Sequence, residues 1–185
     1  MELVDVYNNK HERINIKKDR KKLVNGEFRL SCFVFIINDN GEILIQQRLA
    51  TAKKCPNMWE VASGGVNAGE TSLDGAIREV KEELGIIIDK KDLMFIGSYA
   101  RINDYVEVFL LKSNILVSDL KLQEDEVQDA KWVSIPDFER IIKEGNASDT
   151  GYFIFKEYYS KFYDTYVIFE NGKPVFKKNS EKWIL

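Results

Sequence analysis

The sequence predicts a single α/β domain over its 185 residues, on three observations. Short runs rich in Val, Ile and Phe recur with turn residues between them, as strands do. Residues 71–84 switch to a helical period, and Pro136 opens a second helical pattern. A chain of this length can bury most of its apolar surface in one core, and ordinary domain sizes favour one domain over two.

In chain order, Leu3–Tyr7 and residues 13–16 read as two strands around the turn-prone Asn8-Asn9-Lys10. His11, the one histidine, reads as a surface turn residue. Lys17, Lys18, Arg20, Lys21 and Lys22 form a basic run of the kind that usually makes a solvated face and can attract a phosphorylated ligand; residues 1–27 are taken as an N-terminal hairpin and basic segment. Residues 30–37 and Glu42–Arg48 form a hairpin around Asn38-Asp39-Asn40-Gly41. Residues 59–63 read as a strand ending on Gly64-Gly65. In the helix over 71–84, Leu73, Ala76, Ile77, Val80 and Leu84 fall within roughly 100° at about 100° per residue. Thr71 is its N-cap, Asp74 lies three residues on, and Gly85 is its stop. Further strands are expected over 93–99, 105–111 and 130–133, then a helix over 136–143. Residues 148–185 read as a C-terminal extension: a helix carrying Tyr152, Phe153, Phe155, Tyr158, Tyr159 and Phe162, then a hairpin turning at Asn171-Gly172.

Composition excludes several classes. Two cysteines cannot build a disulfide framework, and one histidine cannot furnish a histidine-rich zinc site. The longest apolar run is the six residues 32–37, far short of the roughly 18 that span a bilayer. The first residues lack the basic and apolar regions of a signal peptide, so the chain reads as cytoplasmic, without a membrane partner. With 27 basic and 30 acidic residues the net charge is −3, which argues against a general nucleic-acid binder. Setting aside Glu70, Glu79, Glu82 and Glu83 leaves 30 − 4 = 26 acids against 27 bases, or +1. The acidic excess is no larger than that one cluster.

Glu79, Glu82 and Glu83 stand at i, i+3 and i+4 and so share one helix face beside the apolar stripe. An isolated Lys-Glu-Glu segment is usually a solvated face. Here Glu70 precedes the helix and a two-glycine turn lies beside it. Hard divalent cations seek several oxygen ligands, and Mg²⁺ takes a few carboxylates while leaving positions for water and phosphates. The segment therefore has the outline of a phosphate-handling metal site.

Residues 64–86 resemble the Nudix box, Gly-x5-Glu-x7-Arg-Glu-U-x-Glu-Glu-x-Gly-U with U a bulky aliphatic. Gly64, Glu70, Arg78, Glu79, Val80, Glu82, Glu83, Gly85 and Ile86 match every fixed position. The resemblance implies a Nudix-type α/β/α sandwich on a mixed β-sheet, with Mg²⁺ or Mn²⁺ held by the box, and hydrolysis of a nucleoside diphosphate linked to another group. It assigns Glu79, Glu82, Glu83 and the Gly64 carbonyl to the metal. Glu82 or Glu79 would be the general base, and Arg78 and Glu70 would position the box carboxylates. Arg48, Trp59, Gly65 and Asp104 are the candidates for contact with the small-molecule diphosphate substrate, with Arg101 and the aromatics at 152–155 as further candidates.

The flanks, including Leu44-Ile45-Gln46-Gln47-Arg48 and the loop Lys53-Lys54-Cys55-Pro56-Asn57-Met58-Trp59-Glu60, are similar to the isopentenyl-diphosphate-isomerase-like subgroup. Its isomerases use a cysteine where Ser63 stands and histidines where Gly65 and Arg29 stand. Asp104 matches an acidic position of the subgroup, which implies assistance to metal or base. A serine hydroxyl is a far weaker acid than a thiol, so hydrolysis is preferred over isomerisation. A nucleotide-sensing module that binds without hydrolysis is the third reading. Exposed N-terminal strands leave a homodimer open.

Overall fold

The computed structural model describes residues 2–162, 165–170 and 173–178. The N-terminal strands β1 (Leu3–Tyr7) and β2 (Arg13–Asp19) pair antiparallel as a separate two-stranded ribbon. The main sheet contains β3 (Arg29–Ile37), β4 (Glu42–Arg48), β5 (Trp59–Glu60), β6 (Ala62–Gly65), β7 (Leu93–Arg101), β8 (Asp104–Lys112) and β9 (Val127–Ser134). Its order is β5-β4-β3-β8-β7, with β6 also on β3 and β9 also on β4. The β3/β8 pair is parallel and the other pairs are antiparallel, so the sheet is mixed, as expected.

Central position explains why β3 is buried on both faces from Leu30 onward. Cys32, Val34 and Ile36 pack with Ala76, Val80 and Leu84 of α1 (Ser72–Leu84). Phe33, Phe35 and Ile37 pack on the other face with Phe138 and Ile141 of α2 (Ile135–Lys143) and Phe155 of α3 (Tyr152–Phe162). The layers are helix, sheet, helix. Fully burying a side chain the size of Val80 or Leu84 contributes about 1.5–3 kcal/mol, which makes the apolar stripe the main attachment of α1.

Local chemistry sets the ends of α1. The Thr71 hydroxyl accepts from Asp74 N while Thr71 N donates to the Asp74 carboxylate, a reciprocal capping box. Gly85 closes the helix at φ +72°, donating to Lys81 O, a left-handed conformation that favours glycine.

The structure departs from the expected boundaries in instructive ways. The strand expected over 59–63 is two strands broken at Val61, and both glycines continue β6. β2 extends through Lys17 and Lys18, and Arg20–Lys22 form one 3₁₀ turn. Lys18 pairs with Glu27 at 2.5 Å and Arg20 with Glu2 at 2.6 Å, so part of the basic run ties the N-terminal segment together. His11 is in a turn, at φ +63°, but is not merely a surface residue. Its ring stacks on Tyr105 at 4.1 Å and Nε2 lies 3.7 Å from Glu107. After α3, strands β10 (Thr165–Glu170) and β11 (Lys173–Lys178) pair antiparallel; the expected turn at Asn171-Gly172 lies outside the described residues. Among the described residues no helix is long and apolar enough to cross a membrane.

Candidate active site

Strand β6 ends against α1, and the box closes around Arg78. Arg78 Nε and Nη2 donate to the two Glu70 oxygens at 2.9 and 3.0 Å. Its Nη1 donates to Glu79 Oε1 at 2.7 Å and to Glu82 Oε2 at 3.1 Å, and Nη2 also donates to Gly65 O at 2.8 Å. One planar guanidinium thus joins the loop, the strand and two helix carboxylates. These bonds, led by those from Glu70, raise the Arg78 pKa, and the Arg78 bonds hold Glu70 below the usual carboxylate range.

Glu83 occupies a different setting. Only 2% exposed, it accepts Ser63 N–H at 3.0 Å. Burial pushes its carboxyl well above the ordinary range, opposed by Ser63 N–H and the Gln46 amide and reinforced by Glu79 and Glu60. Burial also raises Glu79. Gly64 is small for a reason: a Cβ there would overlap the Glu79 carboxylate. Glu82 is the half-exposed member, with 51% of its side chain accessible.

Among the described residues no three acidic, histidine or cysteine side chains are gathered as a ready metal cage. Arg78 draws Glu79 and Glu82 to itself, while Glu83 faces Ser63. The donor set nevertheless fits a hard divalent cation. Glu79 raises the buried Glu83 carboxyl and Glu82 raises Glu79; a cation stabilises such crowded carboxylates, and all the candidate donors are oxygens.

The structure brings together Glu70, Arg78, Glu79, Glu82, Gly64 and Gly65, with Glu83 on the adjoining side of the helix. Arg48 is close by and donates to Glu60 Oε1 at 2.8 Å. The Trp59 ring lies under Lys131 Nζ at 3.9 Å and packs against the core on the sheet face opposite α1. Asp104 lies on the second face of the sheet, bonded to Ser31 and Arg101. Cys32 sits across from Gly64 in the β3/β6 ladder and donates Sγ to Gly64 O at 3.6 Å. Burial pushes this thiol up to about 12.

Sequence reasoning missed Glu60 and Asp5. Glu60 is 8% exposed, raised by burial and influenced by Glu126; a carboxylate inside the run Trp59-Glu60-Val61-Ala62 was the available signal. Asp5 is 5% exposed. It accepts Gly69 N–H at 2.7 Å and pairs with Arg13 at 2.8 Å. With Ala68 N donating to Leu3 O at 2.9 Å, β1 fastens the box loop.

Comparison with known proteins shows the family and the fold. Residues 27–153 match the NUDIX domain family. The chain is 37% identical over 126 residues to an uncharacterized Nudix hydrolase of Listeria monocytogenes, covering 68% of this chain and 75% of that protein. The crystal structure of DR0079 from Deinococcus radiodurans superposes with TM-score 0.70 at 21% identity, covering 84% of this chain and 98% of the other, and shows the shared fold. A MutT protein from Methanosarcina mazei superposes with TM-score 0.52 at 25% identity, over 70% of this chain and 91% of that one. On the family match across more than half its length, the chain belongs to the Nudix family and is a Nudix hydrolase-type enzyme.

Proposed function

We infer that this Nudix hydrolase cleaves the diphosphate linkage of a nucleoside diphosphate derivative with the help of Mg²⁺ or Mn²⁺. The observation that carries this reading is the gathering of Glu70, Glu79, Glu82 and Gly65 O on one guanidinium, beside the buried Glu83. Glu79, Glu82, Glu83 and the Gly64 carbonyl would hold the cation. When bound, it supplies charge neutralisation of the diphosphate and a lowered pKa for an attacking water.

The chain's own residues set the geometry. Arg78 fixes the rotamers of Glu70 and Glu79 by charge-assisted bonds. Gly64 leaves the space that the Glu79 carboxylate fills. Water oxygen attacks one phosphorus, the anhydride P–O bond breaks, and the leaving phosphate keeps the bonding pair. The proton lost by the water passes to a carboxylate; the half-exposed Glu82 and Glu79 are the two candidate bases within the box.

The test is release of phosphate or nucleoside monophosphate from a panel of nucleoside diphosphate derivatives, with Mg²⁺, Mn²⁺ or chelator, for wild type and Glu82→Gln. Cation-dependent turnover that falls sharply in the variant is expected. No turnover on any substrate, or equal turnover by Glu82→Gln, overturns the reading.

A further inference from the structure

The second face of the sheet, opposite α1, holds a guanidinium that the box does not use. Arg29 opens β3, and a Cβ on Gly65 would come within 2.9 Å of Arg29 Nη1. Neighbouring strand residues face opposite sides, so Gly64 turns toward Glu79 and Gly65 toward Arg29. The box carboxylates and Arg29 therefore flank the same two residues, whose Cα atoms are about 3.8 Å apart. Gly65 is the last residue of β6, so the two sets lie on opposite faces of that strand's end.

Arg29 is under-bonded where it stands. Its side chain is 23% exposed, and its single polar partner among the described residues is Asp104 Oδ2 at 3.5 Å. A guanidinium carries five N–H donors, so most of these are unspent. Asp104 is already served by the Ser31 hydroxyl at 2.8 Å and by Arg101. Arg101 has 40% of its side chain exposed, and its Cζ lies 5.8 Å from the Phe33 ring centroid. Two guanidiniums against one carboxylate leave a local charge of +1. Asp149 also lies near this face and acts on the Tyr99 hydroxyl.

We propose that Arg29, seconded by Arg101, is a phosphate-binding site of this enzyme that grips the substrate phosphate not under attack. The proposal rests on the reading of the box as a diphosphate hydrolase. The recognised chemistry is a pair of non-bridging phosphate oxygens, which the guanidinium fork matches bidentately. They belong either to the terminal phosphate of an uncapped nucleoside diphosphate or to the inner phosphate of a capped one, such as a nucleoside diphosphate sugar.

The experiment uses the full chain, with three variants checked for fold by circular dichroism. Arg29→Gln removes the charge, Arg29→Lys keeps it without the fork, and Gly65→Ala keeps the guanidinium but displaces its tip. Calorimetric binding of inorganic pyrophosphate in Mg²⁺ buffer is measured alongside KM and kcat on a nucleoside diphosphate and a nucleoside diphosphate sugar. Arg29→Gln is expected to weaken pyrophosphate binding and raise KM by about tenfold or more, the worth of a charge-assisted bond. kcat should change less, with Arg29→Lys intermediate and Gly65→Ala following Arg29→Gln. A loss confined to the uncapped substrate assigns the terminal phosphate, and equal loss on both assigns the inner one. Unchanged pyrophosphate binding and unchanged KM overturn the proposal, and Gly65→Ala carries that decision if Arg29→Gln does not fold. A wild type that binds pyrophosphate through Arg29 yet hydrolyses nothing retains this site and removes the hydrolase reading instead.

Discussion

Arg78 and Glu70 meet as two planar groups, Nε to Oε1 at 2.9 Å and Nη2 to Oε2 at 3.0 Å, across the loop that enters α1. A lysine at position 78 cannot reproduce this fork. Arg78→Lys should lower kcat by about 10–100-fold, the usual effect of losing a group that orients metal ligands. Glu70→Gln should behave similarly, and the double variant should be far less than additive because both act through one contact. Steady-state kinetics against Mg²⁺ concentration decides this; additive losses would separate the two residues.

Gly64→Ala places a methyl group where the Glu79 carboxylate now lies. The carboxylate is the far end of a flexible side chain and can rotate away, so the fold should survive at a cost of about 1–3 kcal/mol. Activity should fall by more than this loss of stability accounts for, because Glu79 belongs to the box. Thermal melting and turnover on the same preparations check the dissociation.

Asp5→Ala strips the Gly69 N–H and the Arg13 guanidinium of a buried partner. The expected destabilisation is about 2–4 kcal/mol, roughly 5–15 °C in Tm for a domain of this size. Hydrogen exchange should quicken at Gly69 and Glu70, ahead of global unfolding.

Asp74 supplies a pH dependence. Its bond from Lys90, then those from Thr71, pull its pKa from the ordinary carboxylate value to about 2. A depressed folded pKa contributes stability that is present above the unfolded value, about 3.9, and lost as pH falls through about 2. Asp74→Asn should therefore lower Tm at pH 7 and converge with wild type toward pH 2. Thr71→Ala should cost about 1 kcal/mol at neutral pH through the same cap.

The two thiols should report burial directly. Cys55 is exposed, whereas Cys32 is buried with its pKa raised to about 12. Because the thiolate is the reactive form, a thiol reagent at pH 8 should modify one cysteine in the native protein and two in denaturant. Rapid native modification of Cys32 would contradict its place in β3.

What the sequence disclosed and what it hid divide by range. The helix of the box was readable because its stripe, its Thr71/Asp74 cap and its Gly85 stop are local, and each is present. The sequence over 59–63 reads as one continuous strand because nothing local to Val61 marks the break between β5 and β6. Arg29 and Asp104 are separated by a long stretch of chain and become neighbours only through the parallel β3/β8 register, which no local pattern encodes. Asp5 is legible as a strand residue but not as the acceptor for Gly69, since that contact needs the ribbon's position over the box. His11 reads as a turn from its neighbours, and its stacking on Tyr105 requires the same long-range placement.

The parallel pairing of β3 with β8 has a kinetic consequence. Parallel neighbours require a long crossover, and here the crossover between Ile37 and Asp104 contains the whole box. The loop must close before β8 can seal against β3, and contacts this distant in sequence are slow to form. Catalytic competence should therefore emerge late in refolding, together with β3/β8 docking, and a nascent chain that ends before β8 should carry every box residue while remaining inert.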